Sequence, residues 1–108
     1  MAKIDITEKQ EDTIKTLFSR YLPNTKIWIY GSRINGNSNE NSDLDVAVFS
    51  SDEQMACLAE LREKLENSFS LPFKVDLHIW EHIPKNFKAN ILSNHVELIA
   101  ELFSQNGA

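Results

Sequence analysis

Three aspartates have the type and spacing to do chemistry: Asp43 and Asp45 in the run S-D-L-D-V, and Asp76 in F-K-V-D-L-H-I-W. Alternate side chains of an extended segment share a face, so Asp43 and Asp45 point the same way, together with Ala47 and Phe49. Leu44, Val46 and Val48 then turn toward a core. Two carboxylates on one face of an otherwise apolar strand repel each other and are costly to desolvate. A hard divalent cation resolves both costs, and oxygen donors favour Mg²⁺ or Mn²⁺. Upstream, Gly31-Ser32 interrupts the apolar segment Ile27 to Tyr30. The glycine lets a phosphate approach the main chain, and the serine offers a hydroxyl and an N–H at an expected helix start. Each piece alone has a plain structural reading: a strand-ending turn for Gly31-Ser32, a strand-start residue for Asp43, an edge-strand or paired carboxylate for Asp76. The ordered set on one face is what points to metal.

Those residues need elements to hold them. Thr7 and Gln10 have the spacing of a capping box, and Ile14, Leu17, Phe18 and Tyr21 follow as one apolar helical stripe that Pro23 and Asn24 end. Ile27 to Tyr30 reads as a short buried strand, and the loop from Ser32 to Ser42 leads to the second strand. That loop is rich in Asn, Ser and Gly and reads as a surface connection. It is not an EF-hand, because Glu40 stands where that pattern requires glycine. Ser51 and Gln54 repeat the capping-box spacing, and Met55, Leu58, Leu61 and Leu65 form the stripe of a helix reaching about Ser68. On the third strand Val75, Leu77 and Ile79 face one side and Asp76, His78 and Trp80 the other, as in the lining of an open cleft. A strand, a helix and a strand make a crossover, so the second and third strands are expected to lie parallel, with Asp76 alongside Asp43 and Asp45. Pro84 opens a short helix carrying Phe87 and Ile91. His95 to Phe103 fits an edge strand or a helix, with the strand preferred.

In order, G-S-R-x-x-G, then S-D-x-D-V, then a strand Asp at Asp76 resembles the signature of the DNA polymerase β-type nucleotidyltransferase superfamily. At this length the chain resembles most the minimal nucleotidyltransferases, antitoxins of HEPN-domain ribonuclease toxins. The matching core runs from about Ile27 to Trp80. The resemblance implies an α/β (α+β) nucleotidyltransferase fold, with a small mixed sheet packed by helices and a single domain over 1–108. It implies Mg²⁺-dependent transfer of AMP from ATP to a tyrosine hydroxyl of the toxin, with two metal ions (Mn²⁺ is possible too). Asp43 and Asp45 would hold the metal that grips the triphosphate, and Asp76 the metal beside the attacking hydroxyl. Asp76 could also accept the proton. Gly31 and Ser32 would cradle the β- and γ-phosphates, and Arg33 would neutralise developing charge or else sit solvated on the surface. Many relatives carry a small residue and an Arg before the second glycine, where this chain has Ile34 and Asn35, so one basic contact to the triphosphate is expected to be missing.

Composition bounds the rest. The chain has 108 residues, of which 42% are hydrophobic and 25% charged, ordinary values for one soluble globular domain with no room for a second module. A net charge of −5 argues against a general nucleic-acid binder. The lone Cys57 cannot form an internal disulfide and reads as a small apolar filler on a helix, and a reducing cytoplasmic location is the default. No apolar run is long enough to span a membrane. His78 reads as cleft lining, and His82 and His95 as solvated or capping residues. With no second domain to hold an acceptor, a helical protein partner in a hetero-oligomer is expected to complete the site. Two further readings stay open: a non-catalytic subunit that neutralises its partner by contact, and a small-molecule nucleotidyltransferase of the aminoglycoside-modifying kind.

Overall fold

Thr7 opens the first helix as its spacing predicts. Its hydroxyl accepts the Gln10 N–H at 3.1 Å, while the Gln10 side-chain carbonyl accepts the Thr7 N–H at 2.9 Å. Two donors left free at a helix start are thereby satisfied. Helix α1 (Glu8–Tyr21) buries Ile14 and Phe18 completely, with Leu17 and Tyr21 packed at the margin. The chain, described over residues 4–98 in a computed structural model, continues through β1 (Ile27–Tyr30), the single turn α2 (Ser32–Asn35) and β2 (Leu44–Val48). A 3₁₀ turn (Asp52–Gln54) with a second capping box between Ser51 and Gln54 leads into α3 (Met55–Glu66). Then come β3 (Val75–Ile79), a 3₁₀ turn (Trp80–His82), α4 (Lys85–Ser93) and β4 (Val96–Leu98).

The four strands form one mixed sheet in the order β3-β2-β1-β4. Strand β1 runs antiparallel to both β2 and β4, and β2 runs parallel to β3. This is an α+β arrangement, a small mixed sheet packed by helices, as the resemblance implies. One face of the sheet presents Ile27, Ile29, Leu44, Val46, Val48, Val75 and Leu77 to α1 and α3, whose Ile14, Phe18, Leu58, Leu61 and Leu65 fill the core against it. The alternation of β2 is what splits the strand between this core and the opposite face.

The opposite face is less open than its sequence suggests. Ala47 is fully buried there, under Ile83 and Ile91, with Trp28, Tyr30 and Trp80 packed around them. Helix α4 thus covers the part of that face around Ala47, while Asp45 and Asp76 at the other end stay half-buried. Other expectations shift too. Met55 is 47% exposed and Cys57 is exposed, so neither is core filler. Both lie ahead of Leu58, the first residue of α3 to reach the interior. Leu71 and Phe73 are buried as a turn under the core, while Phe69 is fully exposed. Of the tail expected as a strand, Val96–Leu98 is strand β4 and residues 99–103 lie outside the described part.

Candidate active site

Strand register assembles the site. Tyr30 lies directly opposite Asp45 across the antiparallel pair, and Asp45 opposite Asp76 across the parallel pair. Residues paired in this way share a sheet face, so one row of three polar side chains crosses β1, β2 and β3. His78, two residues beyond Asp76, joins that face. Its Nε2 lies 3.1 Å from Asp76 Oδ2. One ligand atom from each of Asp45, Asp76 and His78 can be chosen so that all lie within 4.8 Å of one another. Asp43 sits just ahead of β2, is exposed, and is not part of that group of three.

Gly31 makes room for the row. Its φ of 90° and ψ of −157° belong to a region that other residues essentially never adopt. A Cβ built there would overlap Asp45 Oδ2 and lie 3.2 Å from Asp45 Cγ, so the carboxylate occupies the space a side chain would need. Ser32 begins α2, and the Ile34 N–H donates to the Gly31 carbonyl at 3.1 Å to close the turn. Gly36 ends the turn in the left-handed region at φ 80°. The two glycines five residues apart are therefore the two points where this loop reverses.

The electrostatics follow from the crowding. The Asp45 carboxyl is raised above the ordinary carboxylate range, first by burial, then by Asp76 and by Asp43, with His78 acting weakly the other way. The Tyr30 phenol is pushed up to about 12 by burial and then by the charges of Asp45 and Asp76. It therefore stays a protonated hydroxyl at neutral pH and can donate a hydrogen bond. Paired carboxylates that disfavour each other's charge, with an imidazole beside them, form a donor set that fits a divalent cation, which would relieve the repulsion.

Arg33 is not the solvated surface residue that is one of the two readings expected of it. It is only 5% exposed. Its Nε donates to the Ser42 carbonyl at 3.0 Å, Nη1 to Asp5 at 2.7 Å, and Nη2 to Asn39 and Glu40 at 3.2 Å each. The guanidinium also lies over the Phe73 ring, 4.1 Å from its centroid. A planar fork with five donors suits such a cluster of carbonyls. Arg33 thus ties the loop before β2 to the N-terminal segment and fixes where Asp43 and Asp45 begin. The loop adds its own bonds, from Asn39 N–H to Ser42 Oγ and from Asn41 N–H to Asn39 Oδ1. Its Asn- and Ser-rich composition is structural.

The remaining histidines lie apart from the carboxylate row. His82 is exposed. His95 caps α4, with Nδ1 2.7 Å from the Ile91 carbonyl and its ring stacked on Trp28 at 3.8 Å. Sequence reasoning gave Tyr30 no role and left His78 as lining. Period-two alternation placed His78 on the face of Asp76, and only the strand register set Tyr30 opposite Asp45.

The sheet order, the in-register carboxylates and the glycine that admits one of them define a class. The chain belongs to the family described as polymerase beta nucleotidyltransferase, whose model matches residues 12–102, and it is a nucleotidyltransferase. The match extends well beyond the motif core of about 27–80. Among curated proteins, a probable protein adenylyltransferase, MntA, of Haemophilus influenzae is 34% identical over 98 residues, covering 88% of this chain and 83% of that protein. Among solved structures, a crystal structure of a toxin–antitoxin with AMP-PNP superposes with a TM-score of 0.66 at 26% identity, covering 89% of this chain and 82% of that one. Among the described residues, no helix is long and apolar enough to cross a membrane.

Proposed function

We propose that this protein is a divalent-metal-dependent protein adenylyltransferase that acts as an antitoxin, moving AMP from ATP to a tyrosine hydroxyl of a partner HEPN ribonuclease toxin. The observation that carries this reading is the facing of Asp45 and Asp76 across β2 and β3, with Gly31 opened to admit Asp45. The named relative and the nucleotide-bearing toxin–antitoxin structure supply the substrate class and the kind of partner.

The residues divide the work. Asp45 and Asp76, with Asp43 at the exposed margin, would hold Mg²⁺ or Mn²⁺, which when bound supplies charge stabilisation for the entering and leaving oxygens. Gly31 and the main chain of Ser32 face the β- and γ-phosphates. Asp76 accepts the proton of the incoming tyrosine hydroxyl. The hydroxyl oxygen bonds to the α-phosphorus as the bond from that phosphorus to the pyrophosphate oxygen breaks, and pyrophosphate leaves. The Tyr30 hydroxyl, protonated at neutral pH, is available to donate to a phosphate oxygen. Arg33 acts through the loop it fastens.

The test uses ATP labelled at the α-phosphate, Mg²⁺ and a lysate of the source cells, with wild type beside D45N and D76N. A discrete protein band labelled by the wild type alone, at a tyrosine, is the expected result. A partner that co-purifies with all three proteins and is labelled by none would replace transfer with neutralisation by contact.

A further inference from the structure

His78 brings a nitrogen donor to the paired carboxylates. It stands two residues after Asp76 on the same strand, where alternation returns the side chain to the same face. Instead of extending into solvent, its ring turns back so that Nε2 lies 3.1 Å from Asp76 Oδ2. Donors bound to one ion at about 2.1 Å lie about 3.0 Å apart when adjacent and about 4.2 Å when opposite. The spacing of His78 to Asp76 fits adjacent donors, and the 4.8 Å span of the three groups with Asp45 closes around one ion with a small adjustment. An imidazole ligand also adds no further negative charge to a cluster that already holds two carboxylates. Mg²⁺ prefers oxygen donors, whereas imidazole suits first-row transition ions.

We propose that His78 is a metal ligand, and that Asp45, Asp76 and His78 together form a mixed nitrogen–oxygen site that selects a first-row transition ion such as Mn²⁺ over Mg²⁺. This rests on the reading of Asp45 and Asp76 as metal ligands above.

The test reads the metal directly. Mn²⁺ is titrated into wild type, H78A, H78Q and D45N, with free Mn²⁺ followed by electron paramagnetic resonance and Mg²⁺ affinity obtained by competition. Pulsed measurements on bound Mn²⁺ look for ¹⁴N coupling from an imidazole. Wild type is expected to show that coupling. H78A and H78Q are expected to lose it, with Mn²⁺ affinity down about tenfold or more and Mg²⁺ affinity unchanged within about twofold. H78Q separates ligation from hydrogen bonding, because its amide can still donate to Asp76 but replaces imidazole poorly. Wild-type affinity in H78Q, no ¹⁴N coupling in the wild type, or equal losses for both ions would each overturn the proposal. If Mn²⁺ binds the wild type, is lost in D45N and shows no nitrogen coupling, only His78 ligation fails. If the wild type binds neither ion, the carboxylate reading fails with it. Because the His78 side chain is 44% exposed, circular dichroism of the variants is expected to match the wild type.

Discussion

The two faces of the sheet are built on opposite terms. One face is closed: Val46, Val48 and Leu44 are fully buried in a cluster with Phe18, Ile14 and Leu61. The other is closed only over Ala47 and left open at the end where Asp45 and Asp76 meet. The same five-residue strand, β2, serves both. Stability is thus concentrated on one side and electrostatic stress on the other, and the stress is tolerable because the closed side secures the strand. Placing Asp45 on the back of the best-packed strand keeps it in register with Asp76 on the neighbouring strand.

Substitutions on either face sharpen or break that contrast. The largest stability effect is expected from F18A on the closed face, a loss of about 3–5 kcal/mol by urea titration, with the transfer rate per folded molecule retained. If the folded fraction of F18A also loses transfer, the faces are not separable. Next, G31A on the open face is expected to lower transfer about 100-fold, roughly 2.7 kcal/mol in the barrier, because the methyl displaces the Asp45 carboxylate. Its unfolding free energy should fall by no more than the roughly 1–3 kcal/mol such backbone strain costs. A G31A enzyme with normal rates would mean that Asp45 does not need its present place. R33A is expected to cost about 1–3 kcal/mol, since four main-chain carbonyls lose their donor. R33K should recover little of it, because an ammonium cannot span the same fork. The smallest change is expected from D45N without metal. A carboxyl whose pKa is raised on folding contributes stability below its unfolded value and loses it as pH rises through the folded value. Once pH exceeds the folded value that stability is gone, so D45N, which removes the charge, should raise the melting temperature of the metal-free protein. The gain should vanish near pH 3, where both forms are neutral, and a fall in melting temperature at pH 7 would count against stress at this site.

Much of this contrast was legible in the sequence, because alternation and capping are local. Thr7 with Gln10, the bounds of β1 and the parallel pairing of β2 with β3 all follow from spacing. That pairing puts Asp76 beside the two earlier aspartates, and the register then selects Asp45 as the one it faces. What escaped depends on groups the sequence does not advertise. Arg33 bonds to main-chain carbonyls of Asp5, Asn39, Glu40 and Ser42, and any residue type would supply those acceptors. Its burial could not be read from a motif in which arginine suggests phosphate. Ala47 looked like part of an open cleft until α4 brought Ile91 over it. Met55 fitted a helical stripe by period but precedes the point where α3 meets the core.

The parallel pairing of β2 with β3 also has a meaning in time. Asp45 and Asp76 stand 31 positions apart in the chain, and Leu44 is tied to Lys74 by a main-chain bond of 2.8 Å. While the polypeptide is being made, Asp45 emerges first and has no counterpart until β3 is synthesised and docked beside it. The half-made chain holds the glycine turn and the two aspartates of β2's leading end, and the facing pair is complete only once β3 has docked beside β2.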